Sequence, residues 1–291
     1  MTRQKSRLVL GTAQLGMPYG VANAGQPDRA EAYAILDAAL RFGINTFDTA
    51  SAYGSAEEVL GGWINERSLQ DTVSVVSKCR SSSAAEVLAE LKLSLSRLHL
   101  SKLDGYLLHT PEWMYDPEVV RALHSAKASG LVDNIGVSVY DGKDVLHALT
   151  LELDYIQVPY NALDQRLDRV DFFSRAREKG VTVFARSAFL QGLLLMEPDA
   201  IPPRLAHARP YVETFRTIAV RWSLSPLEAA LLFVQGNRGI DHIVCGVDTV
   251  RHLEEICSAA LRSIPNALFE ELKQPFTDIP ETVVDPRTWN T

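Results

Sequence analysis

Four polar side chains stand where an otherwise apolar run ends. Asp48 closes Phe47-Asp48, Tyr53 follows in the adjoining loop, Lys78 closes Val75-Val76-Ser77-Lys78, and His109 closes Leu107-Leu108-His109. A carboxylate, a phenol, an ammonium and an imidazole form a set suited to moving a proton. A tyrosine with an unperturbed pKa of about 10 is a poor acid near neutrality, but a nearby ammonium favours the phenolate. Tyr53 is therefore expected to be made more acidic by Lys78, with Asp48 holding that lysine and His109 donating a hydrogen bond to a substrate oxygen, as in an oxyanion hole. Lys78 also admits a different chemistry, a Schiff base in a barrel lyase. Each residue has a plainer use as well: Tyr53 as a loop aromatic, Lys78 as a solvated strand end, Asp48 as a helix N-cap, His109 as a strand terminator. Their common position at strand ends favours the chemical reading.

The elements that must hold these residues are legible from alternation. Short apolar or β-branched runs, each too short for a stable helix, predict strands at Leu8–Gly11, Asn45–Asp48, Val73–Lys78, Leu103–His109, Asn134–Val139, Tyr155–Pro159, Thr182–Ala185 and His242–Cys245. Between them lie helical stretches, clearest in the Leu88, Leu91, Leu95, Leu98 stripe. Asp28 with Glu31 and Ser225 with Glu228 read as capping boxes, and Asp116-Pro117 as a cap before an N1 proline. Gly43, Gly130 and Gly180 each precede a strand and suit a left-handed helix closure. Eight βα units predict an α/β fold, a (β/α)8 TIM barrel forming a single domain over residues 1–291. In that barrel all four residues face the mouth at the strand C-terminal ends, where active sites form. The proline-rich segment Arg186–Pro210 is expected to be a large loop on the same face. Pro275–Thr291 is irregular and has no assigned place. Cys79, next to Lys78, is expected to point away from the interior toward the helices.

Composition narrows the partners. Lys plus Arg number 29 against 36 Asp plus Glu, a formal charge of −7, which argues against nucleic acid or an anionic membrane surface. Cys79, Cys245 and Cys257 are too few and too scattered for a disulfide framework or a zinc site, and no metal is expected. The basic start, Met1 to Arg7, leads into only Leu8-Val9-Leu10, too short for a signal peptide, and no run of about 18 apolar residues offers a membrane span. A cytoplasmic location is the expectation. Oligomeric state is not set by the sequence.

With the tetrad in place, the chain resembles the aldo-keto reductase family. The likeness is carried by Asp48-Thr-Ala-x-x-Tyr53-Gly54, the strand-terminal lysine of Val-Val-Ser-Lys78 and the histidine of Tyr-Leu-Leu-His109, and it runs from Gly11-Thr12 to the Gly246 region. The resemblance implies an enzyme that reduces aldehyde or ketone groups of small molecules with NADPH, NADH being possible, and in which Tyr53 gives the proton. It implies a dinucleotide stretched over the barrel mouth rather than in a Rossmann crevice.

On the same resemblance the cofactor site comprises Thr12, Asp48, Ser138, Gln157, Arg186, Ser187, Phe189, Gln191, Gly246, Val247, Asp248 and His252. Ser138 and Gln157 would hold the nicotinamide carboxamide, and Val139 stands where the family usually has Asn. Arg186 stands where the family presents a tyrosine that stacks on the nicotinamide, a role a planar guanidinium can take. Asp248 would repel a 2′-phosphate or accept from a free 2′-hydroxyl, with Arg251 and His252 offsetting the repulsion; it could equally be the N-cap of the following helix. Tyr19, Tyr53, His109 and Trp113 are the expected substrate walls, Trp113 having packing as its alternative. Two other functions remain open beside the reductase: a nucleotide-binding regulatory subunit without turnover, and the lyase using Lys78.

Overall fold

Strand-length apolar runs with glycine-closed helices between them can satisfy all their backbone groups only by lying side by side, and here they close on themselves. In the computed structural model, which describes residues 7–21, 25–80 and 82–289, eight parallel strands form a closed barrel in sequence order. They are β1 (Leu8–Gly11), β2 (Thr46–Asp48), β3 (Ser74–Cys79), β4 (Leu103–Leu108), β5 (Val132–Ser138), β6 (Tyr155–Pro159), β7 (Thr182–Arg186) and β8 (His242–Gly246). The expected bounds shift by a residue or two. The start of the basic N-terminus, 1–6, and the end of the tail, 290–291, lie outside the described residues.

Strand alternation sorts side chains into two cores. Val9, Val76, Leu107, Tyr155, Phe184 and Val244 fill the barrel interior. A larger outer core packs strands on helices and includes Leu91, Leu95, Leu98 and Cys79, so the leucine stripe and the outward cysteine lie where expected. Gly105 makes room for the interior ring of Tyr155, since a Cβ there would stand 2.9 Å from its Cε2. Lys78 shares the inward phase of Val76 two residues earlier on β3. It therefore projects into the barrel and not toward the helices.

The local signals for helix ends are realised. Asp28 and Ser225 form capping boxes with Glu31 and Glu228, and Asp116 caps a helix whose first residue is Pro117. Gly43, Gly130 and Gly180 adopt φ of +79°, +76° and +69°. The segment after β7 is not featureless: three short 3-10 turns, Leu190–Leu195, Pro198–Ala200 and Pro203–Ala208, precede the helices Arg209–Arg221 and Pro226–Gly236. The tail folds into a helical turn, Glu281–Val284, and a 3-10 turn, Pro286–Thr288, ending at Trp289, which is buried in the outer core. Among the described residues no single helix is long and apolar enough to cross a membrane.

Candidate active site

The floor of the site is an ion pair. Lys78 Nζ donates to Asp48 Oδ1 at 2.6 Å and to the Thr49 carbonyl at 2.9 Å, and both side chains are almost fully out of solvent. The second carboxylate oxygen of Asp48 accepts from Gln157 Nε2 at 2.7 Å, so the anion is satisfied on both sides. Thr12 ties this floor to β1: its amide donates to the Asp48 carbonyl at 2.9 Å and its hydroxyl at 3.2 Å. Burial lowers the proton affinity of Lys78, opposed by the adjoining Asp48 charge. An amine this enclosed, holding two hydrogen bonds, is poorly placed to attack a substrate carbonyl as a lyase requires.

Above the floor, the Tyr53 and His109 rings meet edge to face with centroids 5.4 Å apart, and Lys78 Nζ lies 5.1 Å from the Tyr53 centroid. The loop carrying Tyr53 is clamped from below. Ser55 N donates to Gly16 O at 3.1 Å, and a Cβ on Gly16 would overlap the Tyr53 carbonyl and the Ala56 amide. Gly54, at φ +56°, lies against the Gly16 carbonyl just as tightly. The small residues on both sides are what let the loop sit close enough to bring the phenol over the ion pair.

The expected acidification of Tyr53 does not occur in the free protein. Burial pushes its pKa well above the ordinary value and the Asp48 carboxylate pushes the same way, while Arg186 opposes them. The physical reason is that the Lys78 charge is already spent on Asp48 at 2.6 Å, so the phenol sees a neutralised pair in a desolvated setting. Tyr53 thus holds its proton at all physiological pH values. His109 moves the other way: burial, then the charges of Lys78, Arg186 and Arg80, depress its pKa to about 3. It is a neutral imidazole, and its buried Nδ1 has no hydrogen-bond partner.

A groove of about 1160 Å³ opens over this group and runs along the loop after β7 to the first turns of the helices Val250–Ala260 and Pro226–Gly236. It is lined by Tyr19, Asp48, Tyr53, Arg186, Ser187, Phe189, Gln191, Gly246, Asp248 and His252, ten of the residues expected to bind cofactor or substrate. Tyr19 and Gln191 bridge its mouth, with the Val21 amide on the Gln191 carbonyl at 3.0 Å and Gln191 Nε2 on the Tyr19 hydroxyl at 3.4 Å. Ser187, Leu190 and Gln191 all hold positive φ, a concentration of backbone strain typical of a working loop.

Other expected residues do not line the groove. Thr12, Ser138, Gln157 and Val247 are buried beneath it, and Ser138 Oγ accepts from Arg186 Nε at 3.3 Å; His109, expected as a substrate wall, is half-buried against the Tyr53 ring and is not among the lining residues. Trp113 packs against the outer core, outside the groove, which answers to its packing alternative. Asp248 is not the cap of the helix after it; Thr249 is, its hydroxyl accepting from the His252 amide at 3.2 Å. Asp248 instead faces the groove with His252 Nδ1 3.8 Å away. Sequence reasoning missed the groove wall at Ser225–Glu228, which it read only as a capping box. The signal was present, since a helix N-terminus beside a cavity attracts anions. Among the described residues no cluster of His, Cys, Asp and Glu is arranged to hold a metal ion.

A buried Asp–Lys pair under a tyrosine and a histidine, at the mouth of a (β/α)8 barrel with a long groove, defines a class. The chain belongs to the aldo/keto reductase family, whose model matches residues 7–274, and it is an NAD(P)H-dependent oxidoreductase. The aldo-keto reductase YhdN of Bacillus subtilis is 26% identical, covering 97% of this chain and 92% of its own. The NADH-specific methylglyoxal reductase of Escherichia coli is 29% identical over 65% of each. In fold, the chain resembles the aldo-keto reductase AKR11C1 of Bacillus halodurans, with a TM-score of 0.77 over 93% of this chain and 92% of that one, at 22% identity.

Proposed function

We propose that this protein reduces the aldehyde or ketone group of a small molecule to an alcohol, with Tyr53 as the proton donor. The observation that carries the reading is the buried Lys78–Asp48 pair beneath Tyr53 and His109, opening on a groove large enough for a dinucleotide. The residues present fit that cofactor. At one end stand the proton donor and an orphaned imidazole nitrogen; at the other, the Val250–Ala260 helix presents its N-terminus, a natural place for a phosphate. Bound there, the reduced nicotinamide supplies the hydride.

His109, neutral, donates a hydrogen bond to the substrate oxygen and fixes it beside the Tyr53 hydroxyl. As negative charge develops on that oxygen, it becomes a stronger base than a phenolate and takes the Tyr53 proton, so a phenol that is fully protonated beforehand is the correct resting state. The phenolate left behind is favoured by the Arg186 charge, while the Lys78 ammonium, 5.1 Å from the Tyr53 ring centroid, offsets the Asp48 carboxylate that would otherwise repel it. Ser138 and Gln157 support the floor through Arg186 and Asp48 respectively. Tyr19, on the rim, closes the substrate side.

At the far end Arg251 is tied to Glu255 at 3.0 Å, which leaves the Asp248 carboxylate facing the groove with His252 as its neighbour. This supports binding of both NADPH and NADH, with Asp248 working against the 2′-phosphate. The test is oxidation of each nucleotide with a panel of neutral, acidic, aryl and aliphatic aldehydes, with the alcohol identified by mass spectrometry. Alcohol formed in step with nucleotide oxidation is the expected result. A lysine adduct trapped by borohydride with no nucleotide consumed, or tight nucleotide binding with no turnover on any carbonyl, would overturn it in favour of a lyase or a regulatory subunit.

A further inference from the structure

The stretch 48–57 that carries Tyr53 is fastened to β3 along its length. Asp48 and the Thr49 carbonyl take the Lys78 ammonium, the Thr49 amide donates to the Val76 carbonyl at 2.8 Å, and the Ser51 amide donates to the Lys78 carbonyl at 3.2 Å. At the far end Glu57 Oε1 accepts from Ser77 Oγ at 2.6 Å. Ser77 faces the helices because Lys78, next to it, faces the interior. Residues 77 and 78 thus grip the chain on either side of Tyr53, at 51 and at 57.

Two carboxylates outside the catalytic group serve this grip. Glu57, in the first turn of the helix Ala56–Arg67, is only 1% exposed. Its second oxygen accepts from Arg97 at 3.2 Å, and Arg97 also pairs with Glu58. The helix N-terminus and that guanidinium stabilise the anion, yet a carboxylate taken out of water is tolerated only where its hydrogen bonds are well made, so the arrangement holds one geometry. Gly61 permits it: a Cβ there would overlap the Arg97 carbonyl, so the helix lies hard against its neighbour, Ala84–Leu98. That neighbour supplies Glu90, whose carboxylate accepts from the Ser51 hydroxyl and, at 3.4 Å, from the Arg80 amide.

We propose that Glu57 is a positioning residue for the reduction: its bond to Ser77 sets Tyr53 over the Lys78–Asp48 pair, and Glu90 holds the start of the same loop through Ser51. The inference rests on the reading that Tyr53 is the proton donor. The connection is short, since the Tyr53 carbonyl accepts from the Ala56 amide at 3.0 Å and Glu57 is the next residue, so a shift of this first turn is passed to the phenol. None of Glu57, Ser77, Glu90 and Arg97 lines the groove. The clamp therefore acts on the phenol and not on the ligand. Transfer of a proton is steep in distance, and a misplacement of about 1 Å can cost about a hundredfold in rate, whereas nucleotide binding is spread along the whole groove.

The experiment follows single-turnover oxidation of pre-bound NADPH by 4-nitrobenzaldehyde in the wild type, Glu57→Ala, Glu57→Gln and Ser77→Ala, each with and without Tyr53→Phe, beside fluorescence titration of NADPH. Glu57→Ala is expected to lower the rate by about tenfold to a hundredfold with NADPH affinity held within about twofold. Ser77→Ala should act in the same direction, and Glu57→Gln, which still accepts from Ser77, should lose only a few fold. In the Tyr53→Phe background the substitutions should add nothing, because their effect runs through the missing hydroxyl. Equal losses in both backgrounds, or no loss in either, overturn the proposal and make Glu57 a support of the fold alone. Magnetic resonance of ring-labelled histidine needs no turnover: the His109 signal, which senses the Tyr53 ring edge to face, is expected to move in Glu57→Ala and Ser77→Ala and to stay in Glu57→Gln. A His109 signal unmoved in both alanine variants also overturns it, and Ser77→Ala carries this reading if Glu57→Ala does not fold. A wild-type rate insensitive to Tyr53→Phe would sink the donor reading instead, and the His109 signal alone would then decide whether Glu57 places the ring.

Discussion

Removing one member of the floor pair has a cost that can be worked from its geometry. In Lys78→Met the Asp48 carboxylate stays buried, keeping Gln157 Nε2 at 2.7 Å but losing the ammonium at 2.6 Å. Breaking a buried pair by deleting one partner costs about 3–5 kcal/mol, because the other charge is stranded. The Gln157 bond places this case at the lower end, about 3 kcal/mol. At roughly 2–4 °C per kcal/mol for a domain of this order of size, the melting temperature falls by about 6–12 °C. Asp48→Asn strands the lysine instead, with only the Thr49 carbonyl as a strong acceptor, and the loss is similar. The double variant has no stranded charge and is expected to lose no more than either single one, a coupling of about 3 kcal/mol. Urea unfolding of the four proteins measures the cycle. Additive losses, or single losses below about 1 kcal/mol, would show that water reaches the pair and would refute its desolvation.

Three further outcomes follow from the same contacts. His109, protonated in the unfolded chain near its ordinary value and in the folded one only near about 3, contributes stability present above pH 6.5 and lost progressively as pH falls from there toward 3. Relative to His109→Gln, the wild type should lose up to about 1 kcal/mol per pH unit between pH 6 and 4 in urea titrations, allowing for partial exposure. Gly16→Ala drives a methyl into the Tyr53 and Ala56 backbone and should cost about 1–3 kcal/mol with a fall in kcat larger than any change in nucleotide affinity, read by calorimetry alongside kinetics. Asp248→Asn removes about 1 kcal/mol of repulsion at the adenosine end, so fluorescence titration should show NADPH gaining about fivefold over NADH.

The parts of this protein that could be read from sequence are those set by neighbours along the chain. Strand runs, the capping boxes at Asp28 and Ser225, and the left-handed glycines are short-range matters, and each is realised. The tetrad was visible because polar residues ending apolar strands stand out, and the barrel's closure brings them to one mouth. What could not be read depends on contacts between distant segments. The acidity of Tyr53 turns on how completely Lys78 is neutralised and how deeply the phenol is enclosed, neither of which is a property of residues 48–53. The orientation of Arg186 is set by Ser138, Tyr140 and, through that ring, Arg287, about a hundred residues downstream. The cap that was one alternative for Asp248 belongs to Thr249 because either side chain can serve and only the backbone turn decides. Trp113 sits beside a catalytic strand end, yet its 3-10 turn folds it onto the outer core.

The central claim is that the Tyr53 hydroxyl proton is delivered to the substrate oxygen. Single-turnover oxidation of pre-bound NADPH by a saturating aldehyde, followed by nicotinamide absorbance in the wild type and Tyr53→Phe, tests it most directly. A rate lower in the variant by about a hundredfold or more, with nucleotide affinity retained, is the predicted result. A Tyr53→Phe rate within a few fold of the wild type would contradict it, because the proton would then come from another group.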